Sequence, residues 1–218
     1  MRLTDKQKEA CRILAKDDLY FFSRYMFLTQ KGYAWQQSPH HKIICDYLMR
    51  VYNGEIQNLI INLPPRYSKT QLAVIYFIAW ALGNHPDCEF IHSSYSATLA
   101  SNNSSQIRDL LQNEEYQAIF DTRLKDDSKA KDHWKTTSGG VMYATGAGGT
   151  ITGFGAGKLR DGFGGAIIID DPIKTDEARS ETVRSNVINW FTETIKSRRN
   201  DPSNTPIIVI MQRLHEND

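Results

Sequence analysis

Asn58–Thr70 reads NLIINLPPRYSKT. A short apolar run (Leu59, Ile60, Ile61, Leu63) stops at Pro64-Pro65. Arg66, Tyr67, Ser68, Lys69 and Thr70 follow, and QLAVIYFIAWAL then has a helical pattern. The order is strand, sharp loop, helix, with Lys-Thr where the helix begins. Such a turn aims backbone N–H groups and a lysine at an anion. The common phosphate loop is G-x-x-x-x-G-K-[ST], and here Leu63 and Ser68 stand at its two glycine positions. On these residues alone, a Lys-Thr pair opening an ordinary helix stays open as the alternative, and the rest of the chain has to decide.

The chain has 218 residues, 40% apolar and 23% charged, with a net charge of +1. That is enough for one large globular domain with a real core. The charge gives no global basic field for nucleic acid, although a local channel remains compatible with it. Cys11, Cys45 and Cys88 form no C-x-x-C pair, so reduced thiols and no zinc site are expected. No apolar run approaches the ~20 residues of a membrane span, and MRLTDKQKEA lacks a signal core. The strand-like run Ile207–Met211 is followed by Gln212-Arg213-Leu214-His215-Glu216-Asn217-Asp218, where the chain stops.

Thr4 with Gln7 predicts a capping box and a helix to about Leu14. Asp17–Leu28 predicts an aromatic-rich second helix with a core face. Ser38-Pro39 starts a third, which Gly54 closes. Before that start lie Tyr33, Trp35, Gln36 and Gln37. An aromatic ring and an amide upstream of a phosphate loop suit an adenine base, and a loop tryptophan covering the core is the other possibility. Cys88–Ser93 reads as a strand and Ala97–Leu111 as a helix, with Ser101, Asn102, Asn103, Ser104 and Arg108 on a polar face suited to a phosphate backbone or, more simply, to solvent. Thr137–Thr145 reads as a strand or hairpin, and Thr175–Lys196 as a helix.

Residues 145–165, TGAGGTITGFGAGKLRDGFGG, are too glycine-rich for a regular element. They predict either a mobile mount carrying Lys158 and Arg160 to a phosphate or a plain flexible surface loop. Ala166–Ile169 is a short buried strand, with Asp170 and Asp171 at its carboxyl end, where ligands bind in open α/β sheets. The first acid suits Mg²⁺ together with a Lys-Thr hydroxyl, and the second suits an attacking water. Adjacent strand residues point to opposite faces, so the two acids are assigned separate roles. The strand-like run Pro206–Met211 ends at Gln212, beside the expected terminal phosphate.

Four apolar runs alternating with helices predict a mainly parallel sheet. Lys-Thr, Asp-Asp and Gln-Arg at three strand ends place the fold in the P-loop nucleoside triphosphatase class. The expected architecture is α/β, RecA-like, with an N-terminal helical extension (1–53) on an ATPase core (54–218). LPPRYSKT, YSATLASNNSSQIRDLL, GAGGTITGFGAGKLRDGFGGAIIIDDPIK and IVIMQRLHEND also resemble the large terminase subunits of tailed bacteriophages. The resemblance implies an ATP- and Mg²⁺-dependent motor that threads double-stranded DNA into a procapsid. It implies a homo-oligomeric ring working with portal and small terminase proteins in the bacterial host cytoplasm.

By position, the resemblance makes Lys69 and Thr70 the Walker A pair and Arg66 the loop arginine, with Pro65, Tyr67, Ser68 and Gln71 around the nucleotide. Asp170 becomes the metal-binding acid, Asp171 the catalytic carboxylate and Gln212 the coupling residue. Trp35 and Gln36 fall in the adenine region. Arg160, or else Lys158, becomes a finger acting on a neighbour's nucleotide. Ser68 for glycine, and Asp171 for the commoner glutamate, depart from the pattern. Family members also carry a C-terminal nuclease, which is not expected in this chain. A helicase-like translocase domain and a non-hydrolysing nucleotide-binding scaffold are the competing functions.

Overall fold

Local signals set the first helices. Thr4 and Gln7 form the reciprocal capping box that opens α1 (Asp5–Asp17). Asp18 ends α1 and caps α2 (Leu19–Lys31), which Gly32 closes in a left-handed conformation. Pro39 opens α3 (Pro39–Tyr52), with Ser38 and His41 boxed. The structure, a computed structural model, describes residues 4–127, 130–149 and 151–216.

The strands are β1 (Asn58–Asn62), β2 (Glu89–Ser94), β3 (His133–Lys135), β4 (Val141–Gly146), β5 (Ile167–Asp170) and β6 (Ile207–Met211). They form one sheet in the order β1-β6-β5-β2-β4-β3. All neighbours are parallel except β3, which pairs antiparallel to β4. Parallel pairing forces crossovers, and helices supply most of them. After β1 a π-helical segment, Gln71–Tyr76, runs into α4 (Phe77–Asn84). After β2 come α5 (Ala97–Leu111) and α6 (Glu114–Ile119), and before β6 comes α7 (Glu181–Asn189).

Side-chain alternation divides the core. Ile168, Ile208, Ile210, Phe90 and Met142 join one cluster with α1 to α6. Ile167, Ile169, Ile207 and Ile91 join another, with Trp190 and Ile195. β5 is buried at all four positions, as expected for a central parallel strand covered on both faces. Glu115 on α6 accepts from Arg12 of α1 and Tyr25 of α2, tying the N-terminal helices to the core.

Three expectations change. The segment 175–196 is not one helix: Ser180 caps a start at Glu181, and after Asn189 the turns widen to a π form and then tighten at Lys196–Arg198. Asn103 and Ser104 are buried, not solvated. Ser104 accepts from the Trp134 indole. The glycine-rich crossover is a packed strap, with Ile151, Ala156 and Phe163 inside. Its Gly164 carbonyl accepts from the Glu89 amide, while the Gly157 amide donates to the Glu89 carbonyl. Gly165 has φ 125, and a Cβ there would lie 2.0 Å from the Glu89 oxygen. Glycine serves close packing here. Thr150, within the strap, lies outside the described residues, as do Asn217 and Asp218 of the closing motif.

Candidate active site at the carboxyl edge of the sheet

The loop after β1 has left-handed backbone at two non-glycine residues, Arg66 (φ 67) and Ser68 (φ 62). Ser68 stands where the common phosphate loop has glycine. The serine thus takes up a conformation that costs an L-residue ~1–2 kcal/mol. Such backbone turns successive N–H groups inward, the geometry of an anion-binding nest. Helical turns begin at Lys69, and Leu72 N–H donates to the Ser68 carbonyl at 3.0 Å.

Lys69 is buried and its Nζ donates to the carbonyls of Leu63 (2.6 Å) and Pro64 (3.2 Å). The ammonium thus lies across its own loop. Thr70 Oγ1 donates to Asp170 Oδ2 at 2.7 Å, joining the loop helix to the end of β5. The other oxygen, Asp170 Oδ1, is buried with no hydrogen-bond partner. Burial raises the Asp170 carboxyl to about 6; Asp171 adds to the rise, while Thr70 and Lys69 oppose it. On β2 alongside, the Ser93 and Ser94 hydroxyls are also buried and unpartnered. Buried polar groups are normally paired, so this concentration of unpaired oxygens marks a site.

Asp171 leaves the strand with φ 45. The alternation rule stops at Asp170, and this turn redirects Asp171 into the same cavity as the loop. That cavity, about 420 Å³, is lined by Pro65, Arg66, Ser68, Lys69, Thr70, Gln71, Ile75, Asn103, Gln106 and Asp171. Asn103 and Gln106 are one turn apart on α5; the sequence marks Asn103 only as one of several polar residues on that helix and does not single out Gln106. Their only sequence signal is a polar i, i+3 pair on a helix that follows a strand. Gln71, Ile75 and Gln106 also line an adjoining cleft of about 240 Å³ with Phe27, Gln30 and Tyr76.

The remaining expected residues lie elsewhere. Tyr67 is exposed, with its ring 5.3 Å from that of His40. Trp35 stacks on Phe27 at 5.2 Å and tilts against Tyr76 at 6.0 Å, behind the cleft and outside its lining. Gln36 is exposed. Gln212 Nε2 donates to Thr175 Oγ1 at 3.3 Å and does not line the cavity. Arg160 pairs in a fork with Asp87 (3.0 and 2.9 Å), and Lys158 pairs with Glu89. Both acids sit at the amino end of β2, so within this chain neither cation is brought to the cavity.

These features define an open α/β fold of the P-loop nucleoside triphosphatase kind, with a polar cavity at the strand ends. The HK97 bacteriophage large terminase shares the fold, with a TM-score of 0.58 at 14% identity over 91% of this chain. The chain spans 38% of that terminase's length. The large terminase of a thermophilic bacteriophage, solved in complex with ADP, aligns at a TM-score of 0.44 and 12% identity, over 75% of this chain and 37% of the other. A mutant ATPase domain of a Thermus phage large terminase aligns at 0.46 and 10% identity, over 84% and 73% respectively. No protein-family model and no curated protein matches the chain.

Proposed function

We propose that this chain is the ATP-hydrolysing motor part of a large terminase, driving double-stranded DNA into a procapsid. The observation that carries the reading is the Thr70–Asp170 hydrogen bond beside Lys69, at the strand ends of the fold shared with the HK97 protein. A hydroxyl and a carboxylate with one unpaired oxygen suit a hard divalent cation. Thr70 and Asp170 would hold Mg²⁺, which when bound neutralises charge on the β- and γ-phosphates.

Lys69 would exchange the Leu63 and Pro64 carbonyls for phosphate oxygens, and the N–H groups of residues 66–70 would close around them. Pro65 and Gln71 shape the walls, and Arg66 adds positive charge at the mouth. Asp171 would orient the attacking water and take its proton. The base would enter the cleft of Phe27, Gln30, Tyr76 and Gln106, stiffened from behind by Trp35. Gln212, resting on Thr175, would pass loss of the γ-phosphate to the surface that grips DNA. A trans role for Arg160 or Lys158 would require either to leave its carboxylate.

The working assembly would be a homo-oligomeric ring on a portal protein, supplied with DNA by a small terminase subunit in the host cytoplasm. Residues 1–53 would serve as a helical extension of a core spanning 54–218. Among the described residues no helix is long and apolar enough to cross a membrane. Lys69→Ala is expected to lower DNA-stimulated ATP turnover by about a hundredfold or more, with the thermal melt retained. Turnover intact in that variant would sink the assignment. Nucleotide binding without turnover in the wild type, with DNA and portal present, would favour the scaffold alternative.

A further inference from the structure

His92 is a fully buried histidine at the centre of β2, and its partners fix its chemistry. Its Nδ1 lies 3.1 Å from the Ile168 carbonyl oxygen, and its Nε2 lies 3.2 Å from Asn103 Nδ2. A carbonyl can only accept, so Nδ1 carries the proton. Burial holds the ring neutral, lowering its pKa to about 4. Nε2 is therefore a bare acceptor, and the amide nitrogen of Asn103 must be the group that donates to it. The amide of Asn103 is thereby locked in one of its two flips.

Asn103 is nearly fully buried, yet it lines the cavity that also holds Lys69, Thr70 and Asp171. Among the described residues nothing donates to its Oδ1, the acceptor left for the cavity. An acceptor repels phosphate oxygens but takes a hydrogen bond from water. A water held by two acceptors, one on each proton, has its lone pair turned away from both.

We propose that Asn103 is a second water-orienting group of this site, held in its working orientation by His92. This rests on the triphosphatase reading above. In the step concerned, the water oxygen bonds to the γ-phosphorus as the bond to the bridging oxygen of ADP breaks. One water proton passes to Asp171. Asn103 Oδ1 holds the other O–H and so aims the lone pair. His92 is a positioning residue: it touches neither nucleotide nor water, and it connects β5, two residues before Asp170, to the amide on α5.

The test has three parts. First, ¹⁵N NMR of the wild-type chain without nucleotide is expected to show His92 neutral and protonated at Nδ1; protonation at Nε2 overturns the proposal. Second, Asn103→Ala is expected to lower kcat by about tenfold to a hundredfold, with affinity for a fluorescent non-hydrolysable ATP analogue within about threefold of wild type. Wild-type kcat overturns it, and so does a loss of affinity that matches the loss of turnover. Third, His92→Leu should reproduce the kcat loss at unchanged affinity. His92→Gln, whose amide can donate to Ile168 and accept from Asn103, should recover part of it. Equal losses in the two His92 variants overturn the positioning role, and these two variants decide if Asn103→Ala does not fold. A wild-type chain that neither binds the analogue nor hydrolyses ATP, with DNA present, brings down the triphosphatase reading and this proposal with it. Normal wild-type turnover with an indifferent Asn103→Ala brings down this proposal alone.

Discussion

At the amino edge of the sheet Lys158 meets Glu89, Arg160 meets Asp87, and glycines press the strap against β2. At the carboxyl edge one Asp170 oxygen and two serine hydroxyls are buried unpaired, and three non-glycine residues hold left-handed backbone. Both edges contain basic residues, acids and tight turns. The amino edge pairs Lys158 and Arg160 and places its strain on glycine, with Gln57 Oε1 and Arg198 Nε its buried unpaired atoms among the described residues. The carboxyl edge leaves oxygens unpaired and strains ordinary side chains. Strain and unpaired polar groups persist where a fold is held for function. The glycines of the strap and the cations Lys158 and Arg160, by contrast, are accounted for by packing and pairing at the amino edge.

This contrast predicts different responses to substitution at the two edges. The largest effect is expected from Asp171→Asn, which should lower ATP turnover by about a thousandfold while analogue affinity changes little, as read by single-turnover kinetics and titration. At the amino edge, Gly165→Ala should cost ~3 kcal/mol of stability, measured by denaturant unfolding. Its Cβ would meet the Glu89 carbonyl, a backbone atom that has little room to shift.

Asp170 gives a pH signature. Its folded pKa of about 6 exceeds the ordinary 3.8, so between those values the native state binds more protons than the unfolded chain. The group's contribution to stability is present below about 4 and lost as pH rises through about 6. Asp170→Asn is therefore expected to be more stable than wild type by ~2 kcal/mol at pH 8, with the difference vanishing near pH 4, in metal-free melts. A carboxylate kept ionised at a stability cost fits an edge held for function.

Smaller effects should close the series. Arg160→Ala removes a pair whose members are each about one third exposed, and should cost under ~1 kcal/mol with single-chain turnover unchanged. A large loss of turnover confined to an oligomeric assembly of the chain would restore the trans role. Ser68→Gly relieves left-handed strain but frees the unfolded chain, and should stabilise by ~0.5 kcal/mol.

Much of the fold was legible because local chemistry fixed it. The Thr4–Gln7 box, Ser38-Pro39 and the Ala97–Leu111 helix follow from capping and periodicity over a few residues. The short Ile-rich runs signalled strands covered on both faces. The break within 175–196 was hidden because its apolar spacing continues across a start at Glu181 that one serine cap decides. The strap was misjudged because glycine content cannot distinguish freedom from close packing. Gly157 and Gly165 show their purpose only against Thr205 and Glu89, from distant parts of the chain.

By itself the sequence determined the parallel α/β architecture, the loop carrying Lys69 and Thr70, and the acids at the end of β5. These are consequences of residue type and spacing along one stretch. Only the tertiary structure decided that Thr70 bonds Asp170 across 100 positions, that Asp171 turns into the cavity, and that Asn103 lines it with His92 behind. It also decided that Arg160 and Lys158 pair at the opposite edge. The physical reason is that an ion or an amide takes its role from whichever partner the chain crossings bring within about 3 Å, and no local pattern encodes that partner.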